Sequence, residues 1–383
     1  MNSTWCHQGG HSQFDYLTDF NDWLEGEDAL AEAKREDLQI DQFSSPSKAL
    51  FAGDKNAYLA VLSEYRQQFM QKALSSEWLN DICNSNHWYV RNENRFLQLL
   101  NLVEKGEVVP FIGAGLSNDG GFPTWKEHLK AQGRTAGLDS EEVDQLIANG
   151  EYENVIHEIE QQGYLEAFEQ ELEDAFCHVK FIPETTQIIT KLFSDTVITT
   201  NYDRLLECAF ESEMDKAVEI IDSRDPNKLR DVDKVSVIKL HGDINTPQHC
   251  IMSQNHYNAA YGFGEVDLTL PIPKFLKSTF TNSSLLFLGC SLNNDRTVDV
   301  FRRIKQWARE DGLTLPKHFS IEQVPFCELD EFDENLLATR NQELLNIGIT
   351  PIWFPTAQFD VITEIIKLML HEISYRKAMT DRG

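Results

Sequence analysis

From residue 108 onward the chain alternates short β-branched or apolar runs with helical stretches. The runs fall at 108–112, 196–200, 218–221, 235–240, 285–288, 319–321 and 349–354. Such runs need burial on both sides, and the helical stretches between them supply it. The alternation therefore predicts an α/β architecture with a mostly parallel sheet and helices on both faces. No fixed-period repeat is present, so a solenoid or propeller is not supported.

Two regions lie outside that rhythm. Between the first and second runs, residues 140–175 carry twelve acidic side chains and no Lys or Arg, which reads as a small acidic helical insertion at about 126–190. Ahead of the first run, residues 1–102 read as a helical extension. Its start looks loosely structured, then ten Asp/Glu stand against Lys34 and Arg35 between Asp15 and Asp41. Leu59, Val61, Leu62, Tyr65, Phe69 and Ala73 recur at helical spacing over 56–74, and 95–103 continues the style. A last helix is expected over 359–375, with Val361, Ile362, Ile365, Ile366, Leu368 and Met369 inward. The catalytic domain is thus expected at 103–375.

Composition narrows the function. A net charge of -28 repels phosphate backbones and anionic lipid, so no direct nucleic-acid or membrane binding is expected. Seven scattered cysteines without a C-x-x-C pair point to reduced thiols and to no zinc site. With no signal-peptide pattern and no apolar run of membrane-spanning length, the expected location is cytoplasmic.

Four motifs fall where strands should end. The first run leads into G-A-G-L-S at Gly113, Ala114, Gly115 and Ser117, then Gly121, Phe122, Pro123, Thr124 and Trp125. The second ends T-T-N-Y-D, with Thr200, Asn201, Tyr202 and Asp203. The third gives K-L-H-G-D around His241, and the fourth L-G-C-S-L with Gly289, Cys290 and Ser291. Taken singly, each has a bland reading: Asn and Asp cap helices, His-Gly makes a turn, and glycines close a strand–helix junction. Taken together, they would line one crevice, because ligands of open α/β sheets bind outside the carboxyl ends of the strands. The glycine stretch alone is ambiguous. It lacks the sixth glycine of the dehydrogenase fingerprint, since Asn118 stands there, and no G-K-[ST] follows.

In content and order, from about Val103 to Leu370, the motifs resemble the sirtuin-like superfamily, and within it the bacterial branch found in anti-phage defence, whose members hydrolyse NAD. The resemblance implies a Rossmann-like fold and a site carried residue by residue. Gly113, Ala114, Gly115 and Ser117 would cradle the NAD+ pyrophosphate, with Phe122, Pro123 and Thr200 completing the contact set. Asn201 would hold the nicotinamide ribose and position water, and Asp203 would order the pocket. His241 would be the general base, with a pKa near neutrality. Gly289 and Ser291 would contact the adenosine-side ribose. No metal is implied.

Two departures set the expected reaction. Protein-deacylating sirtuins carry four zinc cysteines after the H-G motif, whereas here Cys250 stands alone before Cys290. They also carry Asp-Phe-Arg after the first loop's proline, where this chain has Thr124 and Trp125. Both argue for water as acceptor, hence for an NAD+ glycohydrolase that depletes NAD+ in abortive infection. The alternatives are an NAD-dependent protein deacylase and a non-catalytic NAD or ADP-ribose sensor. Relatives work with HerA-type ATPases, Argonaute-type proteins or fused sensor domains. The resemblance therefore implies a homo-oligomeric effector with a protein partner such as a HerA-type ATPase. The remaining histidines are expected outside the chemistry, His128 on the helix after the first loop, and Ser253-x-x-x-Tyr257 is expected to be architecture.

Overall fold

The computed structural model describes residues 11–83, 87–213, 217–293, 296–325 and 332–380. The expected loose start, with Cys6 and His7, falls mostly on residues outside this set, as does Cys327. The chain divides into two compact units, Met1–Leu100 with Ala357–Gly383, and Asn101–Thr356.

The first unit is helical. Its core gathers Phe14, Leu17, Phe20, Leu24, Leu50, Phe51, Tyr58, Val61 and Leu62, joined by Ala378 from the last helix. The long helix Lys55–Ala73 starts at Asp54, whose carboxylate accepts from the Ala57 amide at 3.0 Å. The last helix, Asp360–Thr380, belongs to this unit, which differs from the 103–375 span expected for the sheet domain. Arg66 accounts for the grouping: it donates to both oxygens of Glu372, at 2.8 and 2.6 Å, and lies 3.3 Å over the Tyr375 ring. A two-pronged pair plus a stacked guanidinium is a strong local tie.

The second unit is built on seven strands: β1 (Val108–Ile112), β2 (Thr196–Thr199), β3 (Val218–Asp222), β4 (Val235–Lys239), β5 (Ser284–Leu288), β6 (His318–Gln323) and β7 (Ile349–Phe354). All seven expected runs are strands. The sheet order is β3-β4-β2-β1-β5-β6-β7, with every pairing parallel. The chain runs outward from β1 through β2 to the edge strand β3, steps back to β4 between β3 and β2, then crosses to the other side of β1 at β5. Right-handed crossovers running in opposite directions place their helices on opposite faces, and the reversal at β1 opens a crevice at its carboxyl end. The four motif-bearing strands are four neighbours, β4-β2-β1-β5.

The insertion between β1 and β2 folds as helices Trp125–Thr135, Ser140–Ala148, Tyr152–Gln161 and Leu165–Phe176, followed by Glu184–Leu192. Its acidic residues coat an apolar core of Leu129, Val143, Val155, Ile156 and Leu172, continuous with Tyr202, Leu205, Ile244 and Met252 from the loops after β2 and β4. Thr124 and Glu127 form a reciprocal capping box: Thr124 Oγ1 accepts from the Glu127 amide at 3.2 Å and Glu127 accepts from the Thr124 amide at 2.8 Å. The Pro123-Thr124-Trp125 ending is therefore a helix start.

Candidate active site

The crevice is built from its two sides. On the β2–β4 side, side chains do the holding. Thr199 Oγ1 donates to the Ile112 carbonyl at 2.8 Å and accepts from the Asn201 amide at 3.0 Å, stitching the end of β2 to β1. The Asn201 side-chain amide, buried, then donates to Ser117 Oγ at 2.9 Å. Asp203 accepts from the Leu205 amide at 2.9 Å, so its capping role is real, and burial pushes its carboxyl up against the hydrogen bond it also receives from Ser117. Ser117, Asn201 and Asp203 thus form one buried group.

Beneath them lies a residue that motif reasoning passed over. Lys239, with no solvent exposure, pairs with Glu207 at 2.7 Å and Asp243 at 3.2 Å and donates to the carbonyls of Tyr202 and Asp203 at 3.1 and 2.6 Å. Burial alone would lower its pKa; the surrounding carboxylates of Glu207 and Asp243 win, and it stays charged with its pKa raised. The signal was visible in the sequence, since a lysine inside the apolar run of a buried parallel strand must bring partners.

His241 sits one residue beyond Leu240 at the end of β4, and its carbonyl accepts from the Ile251 amide at 2.8 Å. Its ring is 8 % exposed, and burial lowers its pKa to about 4. This corrects the expectation of a value near neutrality: a dry, apolar setting disfavours the imidazolium. The imidazole is neutral at physiological pH and free to accept a proton.

On the β1–β5 side, missing side chains do the holding. A Cβ at Gly113 would collide with the Gly289 carbonyl and lie 2.8 Å from Cys290 Sγ, and one at Gly289, whose φ is +66°, would lie 2.6 Å from the Leu116 amide. The Gly115 amide donates to the Gly289 carbonyl at 3.0 Å. These glycines are thus demanded first by the approach of two loops, and Ala114 begins the short helix Ala114–Asn118 beside them. Ser291 lines a cavity of about 310 Å³ with Tyr152, Asn293, Arg302 and Arg340. Arg340 donates to the carbonyls of Ser291 at 2.8 Å and Leu292 at 3.3 Å, steadying a backbone that turns left-handed at Leu292, φ +46°. Behind it, burial lifts the Glu322 carboxyl to about 7 against the pull of Arg340.

Three predicted contacts are less central. Phe122 is buried in the insertion core, stacked on Phe176 at 6.2 Å, with Pro123 leading into the next helix. Thr200 is half-buried at the strand end, while its neighbour Thr199 makes the bonds. His128 lies on the helix after the first loop, as expected, packed among Trp125, Phe168 and Phe176. Among the described residues no group of three or more His, Cys, Asp or Glu could hold a metal ion, and no helix is long and apolar enough to cross a membrane.

Residues 195–345 match the family model of the SIR2-like domain. That span holds the Asn201, His241 and Gly289 strand ends. Over that span the chain is similar to the SIR2-like domain. It is 26 % identical over 271 residues to the NAD(+) hydrolase ThsA of Bacillus cereus (strain MSX-D12), covering 69 % of this chain and 54 % of that protein. It is 28 % identical over 279 residues to ThsA of Enterococcus faecium (69 % and 55 %), and 27 % over 292 residues to ThsA of Cytobacillus dafuensis (74 % and 56 %). This chain spans about half the length of the curated relatives it matches. The β1 motif precedes the matched span, yet its Ser117 is bonded to Asn201 within it.

Proposed function

We propose that this chain is an NAD+ glycohydrolase that releases nicotinamide and ADP-ribose, acting in the cytoplasm as the NAD-depleting effector of an anti-phage defence system. The observation that carries the reading is the buried pair of strand ends bearing Asn201 and His241, tied through Ser117 to the glycine loop. The names of the ThsA relatives agree with it.

Nicotinamide leaves as a neutral molecule from a cationic parent, so the leaving group needs no general acid, and the two carboxylates of ordinary glycosidases are dispensable. The site has to orient the ribose, limit water and offer one proton acceptor. Asn201 is the candidate for holding the ribose and a water. His241, neutral because buried, accepts the proton from that water or from a ribose hydroxyl as positive charge grows on the sugar. Gly113, Ala114, Gly115 and Ser117 would face the pyrophosphate, and Gly289 and Ser291 the adenosine-side ribose, with Asp203 ordering the pocket and Phe122, Pro123 and Thr200 shaping its wall. Binding through the glycine loop would require the Gly115 amide to share or leave the Gly289 carbonyl.

The decisive experiment incubates purified protein with NAD+ and follows nicotinamide and ADP-ribose by chromatography. Asn201→Ala and His241→Ala are each expected to remove release, and full activity in either variant overturns its assigned role. Nicotinamide release only when an acylated peptide is present identifies a deacylase; NAD+ binding without release identifies a sensor. We further propose that activity is restrained by assembly, as a homo-oligomer joined through the N-terminal helices or with a protein partner such as a HerA-type ATPase. Light scattering that finds a fully active monomer overturns this.

A further inference from the structure

The group in closest contact with the His241 ring is one the motifs did not single out. His241 Nε2 lies 2.7 Å from the Tyr261 hydroxyl, and that hydroxyl lies 3.5 Å from Thr297 Oγ1. Tyr261 closes the helix Gln254–Tyr261, which Ser253 caps by accepting from the His256 amide. Tyr257 and Tyr261 stand four residues apart on one helical face. They meet the imidazole edge-to-face at 5.3 and 5.9 Å and stack on each other at 6.0 Å. Tyr261 has no solvent exposure.

A buried phenol hydroxyl needs a partner, and that alone would explain a contact. Satisfying a hydroxyl does not require a histidine at a strand end, however, and reading His241 as the base gives the chain of contacts a direction. With Nε2 engaged, Nδ1 makes no hydrogen bond among the described residues. An imidazole that accepts a proton at Nδ1 must carry its hydrogen on Nε2. Nε2–H then donates to the Tyr261 oxygen, and the Tyr261 hydrogen points to Thr297 Oγ1. All three groups are satisfied in that arrangement, whereas the reverse one, with Tyr261 donating to Nε2 and the ring hydrogen on Nδ1, would leave the imidazole no open acceptor. When Nδ1 takes a proton, the Nε2–H bond to Tyr261 becomes charge-assisted and strengthens. This is the logic of a base oriented by a third group.

We propose that Tyr261 is a positioning residue that holds His241 in its Nε2–H tautomer, steadied by Thr297 at the start of the helix Arg296–Glu310, and thereby assigns Nδ1 as the proton-accepting atom. The inference rests on reading His241 as the base, but one arm of its test does not need turnover. In protein labelled with 15N-histidine, His241 is identified as the ring whose signals vanish in His241→Ala. At neutral pH it is expected in the Nε2–H form, and Tyr261→Phe should move it toward a tautomer mixture. A wild-type ring in the Nδ1–H form overturns the proposal without any Tyr261 variant having to fold.

The kinetic arm uses the same Tyr261→Phe protein. Losing a hydrogen bond to a charged group should lower kcat about tenfold to a hundredfold, with KM for NAD+ within about threefold. Thr297→Val, one step further away, should lower kcat by about twofold to fivefold. An unchanged kcat in Tyr261→Phe, or a loss confined to KM, overturns the positioning role. Wild-type protein that releases no nicotinamide sinks the reading of His241 as a base while leaving the tautomer result standing, so the two failures are told apart.

Discussion

The two flanks of the crevice are held together by opposite means. After β2 and β4, buried polar side chains do the work: Thr199, Asn201, Asp203, Lys239 and His241 all have partners within 3.2 Å. After β1 and β5, the loops meet because Gly113 and Gly289 have no side chains to keep them apart. A flank of buried polar groups fixes directions and protonation states, which chemistry on a ribose requires. A flank of bare backbone fixes only distance, which suits the binding of a part of the substrate that does not react. The difference predicts where mutations strike kcat and where they strike folding or KM.

The comparison is broken most severely on the polar flank. Asn201→Ala and His241→Ala should reduce nicotinamide release by about a thousandfold or more, with the fold retained by circular dichroism. Lys239→Met should instead destabilise by about 3–5 kcal/mol, because Glu207 and Asp243 lose their cation in a dry interior. Chemical denaturation measures this. A loss below about 1 kcal/mol would mean that the carboxylic acids take up protons and manage without it.

Acid sharpens the contrast next. His241 and His128 are each lowered to about 4 by burial, against an ordinary 6.5, so below that value the unfolded chain binds protons that the folded one refuses. Their contribution is whole above pH 6.5 and is lost as pH falls toward 4, by up to about 3 kcal/mol for each ring. Midpoints of denaturation should fall over that window, and less steeply in His128→Phe.

On the bare flank the effects are smaller. Gly113→Ala should cost about 1–3 kcal/mol, because its methyl meets backbone that cannot yield. Gly53→Ala, where a Cβ would meet nothing within 4 Å, is the control and should be close to neutral. Arg340→Ala, which frees the Ser291 and Leu292 carbonyls, should raise KM for NAD+ about threefold to tenfold and leave kcat near wild type. A fall in kcat instead would show that the β5 loop also serves the reacting end.

Much of this was legible in the chain itself. Seven β-branched runs separated by helical periods left little alternative to a parallel α/β sheet, and four of those runs ended in residues that strand termini do not need for capping alone. The acidic insertion and the helical extension were readable from charge and periodicity. Local pattern was sufficient there because burial of a strand or a helix face is written into its own residues. Thr124-x-x-Glu127 was also legible as a capping box, the spacing by which a helix start satisfies its own first amides.

What local pattern does not carry is which strands become neighbours. Only the order β4-β2-β1-β5 put Ser117 against Asn201, and Gly113 against Gly289, across 84 residues in the first case. The same holds for protonation. His241 has the letter of a neutral-range base, but burial sets it near 4, and the hydroxyl at its Nε2 comes from a helix whose tyrosines looked like packing. Residue type determined which groups were available for chemistry. Long-range packing decided their partners, because hydrogen bonding and desolvation depend on what the fold brings within about 3 Å of each atom.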